Sequence, residues 1–288
     1  MKIIDNIKTI KEQIKQLKKE GKTIGFVPTM GFLHEGHLSL VRKSKSETDI
    51  TVVSIFVNPT QFAPNEDLDK YPRDLERDCS LLEQEGVDIL FFPNNEEIYP
   101  KGYETYVFVE RLSKLLCGKS RPTHFRGVTT IVLKLFNIVS PDRAFFGQKD
   151  AQQAIIIKRM ILDLNLDVNL RVLPIVREKD GLAMSSRNKY LTEDEREQAI
   201  GLFEALTKGK EIFDSGVKDV KIIKEEALKI FKKYPLLKLD YLEIVDISSL
   251  NKLEKAGEKA VMAIAAFLGK TRLIDNMILG GSNEDICS

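Results

Sequence analysis

Two histidines three residues apart, His34 and His37, stand in the stretch Pro28-Thr29-Met30-Gly31-Phe32-Leu33-His34-Glu35-Gly36-His37. An apolar run at residues 23–27 precedes it and reads as a buried strand; Leu38-Ser39-Leu40-Val41 follows and reads as the opening of a helix. Where a strand passes into a helix, unpaired backbone N–H groups and the positive end of the helix dipole attract anions. Gly31 and Gly36 carry no side chain to hold a bulky anion away from the backbone. This spacing points to phosphate binding, with both imidazoles as donors to phosphate oxygens. Two other readings stay open: a metal pair on one side of the chain, and polar loop histidines without a task. The remaining histidine is His124, and no acidic residue completes an H-E-x-x-H pattern.

Three further segments carry candidate chemistry. Gly147-Gln148-Lys149-Asp150 follows the strand-like Phe145-Phe146 and precedes Ala151-Gln152-Gln153, a helix start. Lys149 there can meet phosphate charge, while Asp150 either accepts from ribose hydroxyls or caps the helix. Met184-Ser185-Ser186-Arg187 follows the turn signal Asp180-Gly181. A mobile loop of that composition can close over phosphates and supply charge to a transition state, although such a tripeptide is also common in exposed loops. Gln61, in Asn58-Pro59-Thr60-Gln61-Phe62, and Gln153 are uncharged donors and acceptors suited to a substrate with hydroxyl and carboxylate groups, or else plain solvated surface. The basic turn Arg121-Pro122-Thr123-His124-Phe125-Arg126-Gly127 is a secondary candidate: an anion contact or simply the approach to a helix.

Short runs rich in Val, Ile and Phe at residues 23–27, 50–57, 87–92, 143–146 and 168–175 read as strands. Longer amphipathic stretches at 73–85 and 151–164 lie among them. Strands alternating with such helices predict an α/β fold, a Rossmann-like, doubly wound parallel sheet with helices on both faces. In these sheets ligands bind outside the carboxyl ends of strands, where the strand order reverses. The histidine turn, the Gln61 segment and the Lys149 segment all lie just past expected strand ends. After residue 176 the rhythm is lost: 192–215 and 220–234 look helical and charged, 239–245 and 260–267 look like strands. The expected organisation is therefore residues 1–176 as a Rossmann-like domain and 177–288 as a second, smaller α+β C-terminal domain, with a loose polar tail at 280–288.

A chain of 288 residues can bury a substantial core in one or two domains. Its 44 Lys and Arg nearly cancel its 43 Asp and Glu, so nothing in the net charge of +1 points to nucleic acid or a membrane surface. The first twenty residues place Ile and Leu at helical spacing among lysines and contain no signal-peptide core. No run approaches the ~20 apolar residues of a membrane span. Cys79, Cys117 and Cys287 are odd in number and far apart, which suggests neither a disulfide framework nor a metal knuckle nor a catalytic role. A cytoplasmic enzyme is the expectation.

Seven blocks taken in order resemble the pantothenate synthetase (pantoate–β-alanine ligase) family, within the nucleotidyltransferases that bear a HIGH-type signature. They are PTMGFLHEGH at 28–37, SIFVNPTQF at 54–62, RPTHFRGV at 121–128, FFGQKDAQQ at 145–153, GLAMSSRN at 181–188, DYLEIVD at 240–246 and TRLIDN at 271–276. His-x-x-His alone is a weak signal; seven blocks across nearly the whole chain are a strong one. The resemblance implies ligation of (R)-pantoate to β-alanine with ATP as substrate and Mg²⁺ as its companion, release of AMP and pyrophosphate, a closing C-terminal lid and a homodimer. It implies that Met30, Gly31, Phe32, Leu33, His34, Glu35, Gly36 and His37 line the ATP site together with Gly147, Gln148, Lys149, Asp150, Val176, Met184, Ser185, Ser186 and Arg187. His34, His37, Lys149, Ser185, Ser186 and Arg187 would carry catalysis, and Gln61 and Gln153 would hold pantoate, Gln61 also lying near β-alanine. Competing readings are nucleotidyl transfer to another acceptor, a class I aminoacyl-tRNA synthetase relative, against which the near-neutral charge speaks, and a non-catalytic nucleotide sensor.

Overall fold

Over the first 173 residues the Val-, Ile- and Phe-rich runs fold as strands and the stretches between them largely as helices. The protein is described here from a computed structural model, covering residues 1–64 and 66–286. In chain order these elements are β1 (Lys2–Ile4), α1 (Ile7–Lys19), β2 (Ile24–Thr29), α2 (Glu35–Glu47), β3 (Ile50–Ile55), α3 (Leu75–Gln84), β4 (Ile89–Phe91), α4 (Asn95–Ile98), α5 (Cys117–Ser120), α6 (His124–Val139), β5 (Arg143–Gly147), α7 (Ala151–Asp163) and β6 (Asn169–Leu173). Then come α8 (Glu193–Gln198), α9 (Gly201–Asp214), α10 (Val220–Phe231), β7 (Leu237–Asp246), β8 (Ala260–Leu268) and β9 (Thr271–Leu279). The chain divides into two compact units: Met1–Lys114 with Gly118–Gly147 and Ile156–Leu173, and Leu115–Cys117 with Gln148–Ile155 and everything from Pro174 onward.

The first unit is built on a parallel six-stranded sheet ordered β1-β4-β3-β2-β5-β6. Strands of such a sheet are covered on both faces, which is why Ile24, Phe26, Val27, Val52, Val53 and Phe91 are all fully buried. The strand order reverses between β2 and β5. Six residue pairs join β2 to β3 and five join β5 to β6, but β2 and β5 pair only at Gly25–Arg143 and Phe26–Ala144. Their carboxyl halves are therefore unpaired with each other beyond Phe26 and Ala144. This is the position at which doubly wound sheets bind ligands.

Two elements of this unit depart from expectation. The first twenty residues, in which Ile and Leu stand at helical spacing, open as strand β1, and α1 begins only after Asn6, whose side chain accepts from the Thr9 N–H at 2.9 Å. Helix α6 was not anticipated, although eleven of its sixteen residues are buried.

The second unit carries an antiparallel sheet ordered β7-β8-β9. Helices α9 and α10 cover it, packing Leu202, Leu206, Phe213, Ile223 and Phe231 with Met262, Ile264, Leu273 and Leu279. The stretch 192–215, expected as one helix, is two, the first capped by Thr192 and Glu195 in reciprocal hydrogen bonds. Strand β9 was not expected, because Arg272, Asp275 and Asn276 interrupt its apolar pattern. The tail, expected to be loose, forms a 3-10 turn at Asn283–Ile286 with Ile286 only 4% exposed. Cys79 and Cys117 are free thiols, and Cys287 lies outside the described residues. Among the described residues no helix is long and apolar enough to cross a membrane.

Candidate active site

The turn after β2 is held from a distance. Gly31 and Phe32 both have positive φ, 81° and 50°, a conformation that costs a non-glycine residue energy unless its surroundings impose it. They are imposed by Asp78 of α3, which is 1% exposed. Its carboxylate accepts from the Phe32 N–H at 2.7 Å and from the Leu33 N–H at 2.8 Å. Burial pushes the Asp78 carboxyl above its ordinary range, against the pull of the Leu33 and Phe32 N–H groups. A Cβ on Gly31 would stand 3.0 Å from Ile55 Cγ2 and 3.1 Å from Asp78 Oδ2, so the position wants glycine for both space and φ.

Beyond this turn the two histidines cap helix α2. His34 is the N-cap: the Gly36 N–H donates to its Nδ1 at 3.2 Å, and its own N–H donates to His37 Nδ1 at 3.3 Å. The arrangement is a capping box in which imidazoles take the places of Ser or Thr and Glu. With both Nδ1 atoms accepting, the neutral rings carry their protons on Nε2, as donors. The ring centroids are 4.1 Å apart. Neutral N–H donors at the start of a 13-residue helix form an anion-binding arrangement. The pair is thus occupied in a way that suits phosphate contact. Among the described residues no three His, Cys, Asp or Glu side chains gather as a metal site.

Gln61 is fixed in the same unit at both its side chain and its backbone. Tyr99 Oη donates to Asn58 Oδ1 at 2.8 Å, Asn58 Nδ2 donates to Gln61 Oε1 at 3.2 Å, and Gln61 Nε2 donates to Met30 Sδ at 2.8 Å. That relay decides which end of each amide faces which way. Burial keeps the Tyr99 hydroxyl protonated, pushing its pKa up to about 12. The carbonyl of Gln61 accepts from His124 Nδ1 at 2.8 Å and from Arg121 Nη2 at 3.2 Å, and Arg121 is itself bidentate on Glu66 at 2.6 Å for both bonds. The basic turn leads into α6 and braces the Gln61 carbonyl.

Gly127 of α6 lets this happen, since a Cβ there would lie 2.3 Å from the Thr60 carbonyl oxygen and 2.6 Å from the Gln61 nitrogen. Gly127→Ala is expected to destabilise the fold by roughly 1–3 kcal/mol, the usual range for overpacking. A lowered melting temperature relative to the wild type, read by thermal unfolding, checks this.

In the second unit, Gln148, Lys149 and Asp150 form a 3-10 turn directly before α7; Lys149 is half-buried and Asp150 exposed. Gln153 lies half-buried in the first turn of α7, beside Gln152, whose side chain accepts from the Cys117 N–H at 3.0 Å and donates to the Leu115 carbonyl at 2.6 Å. Val176 and Met184 are brought together by a 3.0 Å bond from the Met184 N–H to the Val176 carbonyl, closing a hairpin. The next residues, Ser185, Ser186 and Arg187, turn into a short 3-10 helix in which the Arg187 N–H donates to Ser185 Oγ at 3.3 Å. The segment expected as a mobile loop is braced inside its own unit. Arg196 pairs with Glu178 at 2.6 Å and Asp180 at 2.7 Å, and Asn188 donates to Glu178 at 2.8 Å. Arg177 is bidentate on the buried Asp275, at 2.6 and 3.0 Å, with its guanidinium 4.4 Å from the centre of the Phe203 ring.

The first unit thus gathers Met30 to His37 with Gln61, and the second gathers Val176 and Met184 to Arg187 on one hairpin. Asn58, His124 and Asn276 lie inside sequence blocks already noted, so the blocks themselves are the signal that could have found them. Asp78 lies in an ordinary amphipathic helix and gives no local signal at all.

The sequence profile of the family described as pantoate-beta-alanine ligase matches residues 2–278. The pantothenate synthetase of Thermosipho africanus is 59% identical over 279 residues, covering 97% of this chain and all of that one. That of Thermotoga petrophila is 56% identical over 280 residues, again covering 97% of this chain and all of its own. The crystal structure of the pantothenate synthetase from Thermus thermophilus superposes with a TM-score of 0.92 at 42% identity, covering 96% of this chain and 99% of its own. The pantoate-beta-alanine ligase of Francisella tularensis, solved in complex with beta-gamma ATP and beta-alanine, gives 0.80 at 38% identity, covering 96% of this chain and 97% of its own. With a histidine-capped helix start at the switch point of a doubly wound sheet and this likeness along almost its full length, the chain belongs to the pantoate–β-alanine ligase family.

Proposed function

We propose that this enzyme condenses (R)-pantoate with β-alanine in two steps on one ATP, through a pantoyl-adenylate, releasing pyrophosphate and then AMP. The observation that carries the reading is the histidine-capped start of α2 at the reversal of strand order, an arrangement suited to phosphates. ATP and β-alanine are also the ligands in the Francisella complex. In the first step the pantoate carboxylate, ionised at neutral pH, attacks the α-phosphorus and pyrophosphate leaves, so no general base is needed. What the step needs is in-line placement and neutralisation of phosphate charge. His34 and His37 supply neutral donors, Lys149 and Arg187 supply charge, and Ser185 and Ser186 supply hydroxyls. Met30 to His37, Gly147 to Asp150, Val176 and Met184 complete the contacts with ATP. Gln61 and Gln153 hold pantoate by its hydroxyls and carboxylate, and Gln61 lies near the incoming amine.

In the second step the amine of β-alanine attacks the acyl carbon, the C–N bond forms, AMP departs and the amine loses its proton. Mg²⁺ enters on the ATP phosphates, the usual mode for an ion that keeps several waters and takes few protein ligands. There it neutralises phosphate charge. The family resemblance further supports a cytoplasmic homodimer.

The test is release of AMP and pyrophosphate from MgATP and pantoate, with and without β-alanine. AMP formation that requires both substrates, with exchange of labelled pyrophosphate into ATP on pantoate alone, is the expected result. AMP formation with both substrates but no exchange on pantoate alone would remove the adenylate step. Pyrophosphate release with a stable nucleotidyl product and no AMP would move the chain to nucleotidyl transfer.

A further inference from the structure

Asp275 and Asn276 are consecutive on β9, and both are 3% exposed. Neighbouring residues of a strand project to opposite faces of the sheet. Leu273, Met277 and Leu279, at even spacings from Asp275, pack into the helical core, and Asp275 shares their face. Asn276 projects the other way, onto the turn that carries Lys149. Its Nδ2 donates to the Gln148 carbonyl at 2.9 Å and to the Lys149 carbonyl at 3.0 Å, and its Oδ1 accepts from Gln148 Nε2 at 3.1 Å.

One side-chain amide therefore spends both of its N–H groups on two successive carbonyls. A three-residue 3-10 turn has too few hydrogen bonds of its own to hold one backbone orientation. With both carbonyls turned to the same NH₂, the peptide planes on either side of the Lys149 Cα are set, and so is the direction in which its side chain leaves. Lysine has a long flexible stem, so the placement of its Cα decides how much of its reach is spent before the ammonium meets a ligand.

We propose that Asn276 is a positioning residue for ATP: by clamping the carbonyls of Gln148 and Lys149 it sets the turn from which Lys149 reaches the phosphates. The inference rests on the reading that Lys149 contacts ATP. It separates the two adjacent buried polar residues by task, Asp275 tying the Arg177 hairpin on one face of β9 and Asn276 setting the Lys149 turn on the other.

The test is a double-mutant cycle on the full chain with Asn276→Ala and Lys149→Ala, reading kcat, the KM of ATP and the melting temperature for all four proteins. Asn276→Ala is expected to lower kcat/KM for ATP about 10- to 100-fold, the size of effect that a misplacement of about 1 Å produces. In the Lys149→Ala background the same change should cost less than about 2-fold, because residues that act through one another are not additive. Asn276→Asp, of equal size, turns an oxygen toward both carbonyl oxygens and should be worse than Ala. If Asn276→Ala fails to fold, Asn276→Ser, which keeps one donor, takes its place in the cycle. Equal losses in both backgrounds, a lowered melting temperature with the KM of ATP unmoved, or an Asp variant milder than Ala would each overturn the role of Asn276 alone. A Lys149→Ala variant with unchanged kcat/KM would instead overturn the reading of Lys149 beneath it.

Discussion

A His37→Ala variant is expected to lose about 10²–10³-fold in kcat, the effect of removing one well-placed donor to developing charge, while its stability falls by only ~1 kcal/mol. The small loss has a specific source. His37 Nδ1 accepts the His34 N–H and closes the capping box of α2, and losing such a cap typically costs about 0.5–2 kcal/mol. The two effects come apart in His37→Glu. Glutamate is the usual partner at that position of a capping box, and a negative charge in the first helical turn is favourable. Stability should therefore return to the wild-type value or exceed it. In the proposed function this position faces the phosphates, so kcat should fall as far as in the Ala variant or further. Steady-state rates and thermal melts on the three proteins decide the matter. If His37→Glu restored activity together with stability, the imidazole would be serving as a cap and nothing more.

The largest effect on stability is expected from Arg177→Ala. Asp275 is almost fully buried and its carboxylate takes two bonds from Arg177. Removing one partner of a buried pair leaves an uncompensated charge and typically costs about 3–5 kcal/mol. Burial pushes the Asp275 carboxyl above its ordinary range even with Arg177 beside it, whose bonds pull the other way. Without them the upward push is opposed only by the Asn276 N–H and the charge of Lys149. A carboxyl whose folded value lies above its unfolded one binds its proton more tightly in the native state, so the stability it contributes is present in acid and lost as pH rises through the folded value. The deficit of the variant relative to the wild type should accordingly be smaller at about pH 4 than at about pH 8. Urea unfolding at both values measures this. A deficit that does not change with pH would mean that lost packing on Phe203, and not the stranded carboxylate, is the cause.

Asp78 and Asn276 share a feature that hides their task from a local reading of the sequence, even though a motif block marks the position of Asn276. Each is a small polar residue, buried, whose side-chain hydrogen bonds run to backbone or amide groups distant in the chain. Asp78 serves the turn at Phe32 and Leu33 from 45 and 46 residues away, and Asn276 serves Gln148 from 128 residues away. In a linear pattern Asp78 counts as one more polar position of an amphipathic helix, and Asp275 and Asn276 break an otherwise apolar strand. Their meaning exists only once the groups they satisfy have been brought to them.

The histidine turn is the opposite case. Its cap and its helix start lie within ten residues of one another, and local hydrogen bonds decide them. The same locality made β2, β3, β5 and α7 readable, since hydrophobic period and turn residues are properties of short windows. The membership of the family was readable too, because seven motif blocks keep their order along the chain whatever the fold. What the sequence by itself determined is thus the strand–turn–helix start with its two histidines, the parallel α/β class and the family. Tertiary structure alone decided the rest. Strand β1 is three residues long and exists because Lys2 and Ile4 find Ile89 and Phe91. Helix α6 has eleven of its sixteen residues buried by packing that only the folded chain supplies. The orientations of Gln61 and of the Lys149 turn are set by polar partners that reach them only after long loops have closed, and a contact with no local period leaves no trace in the order of residues.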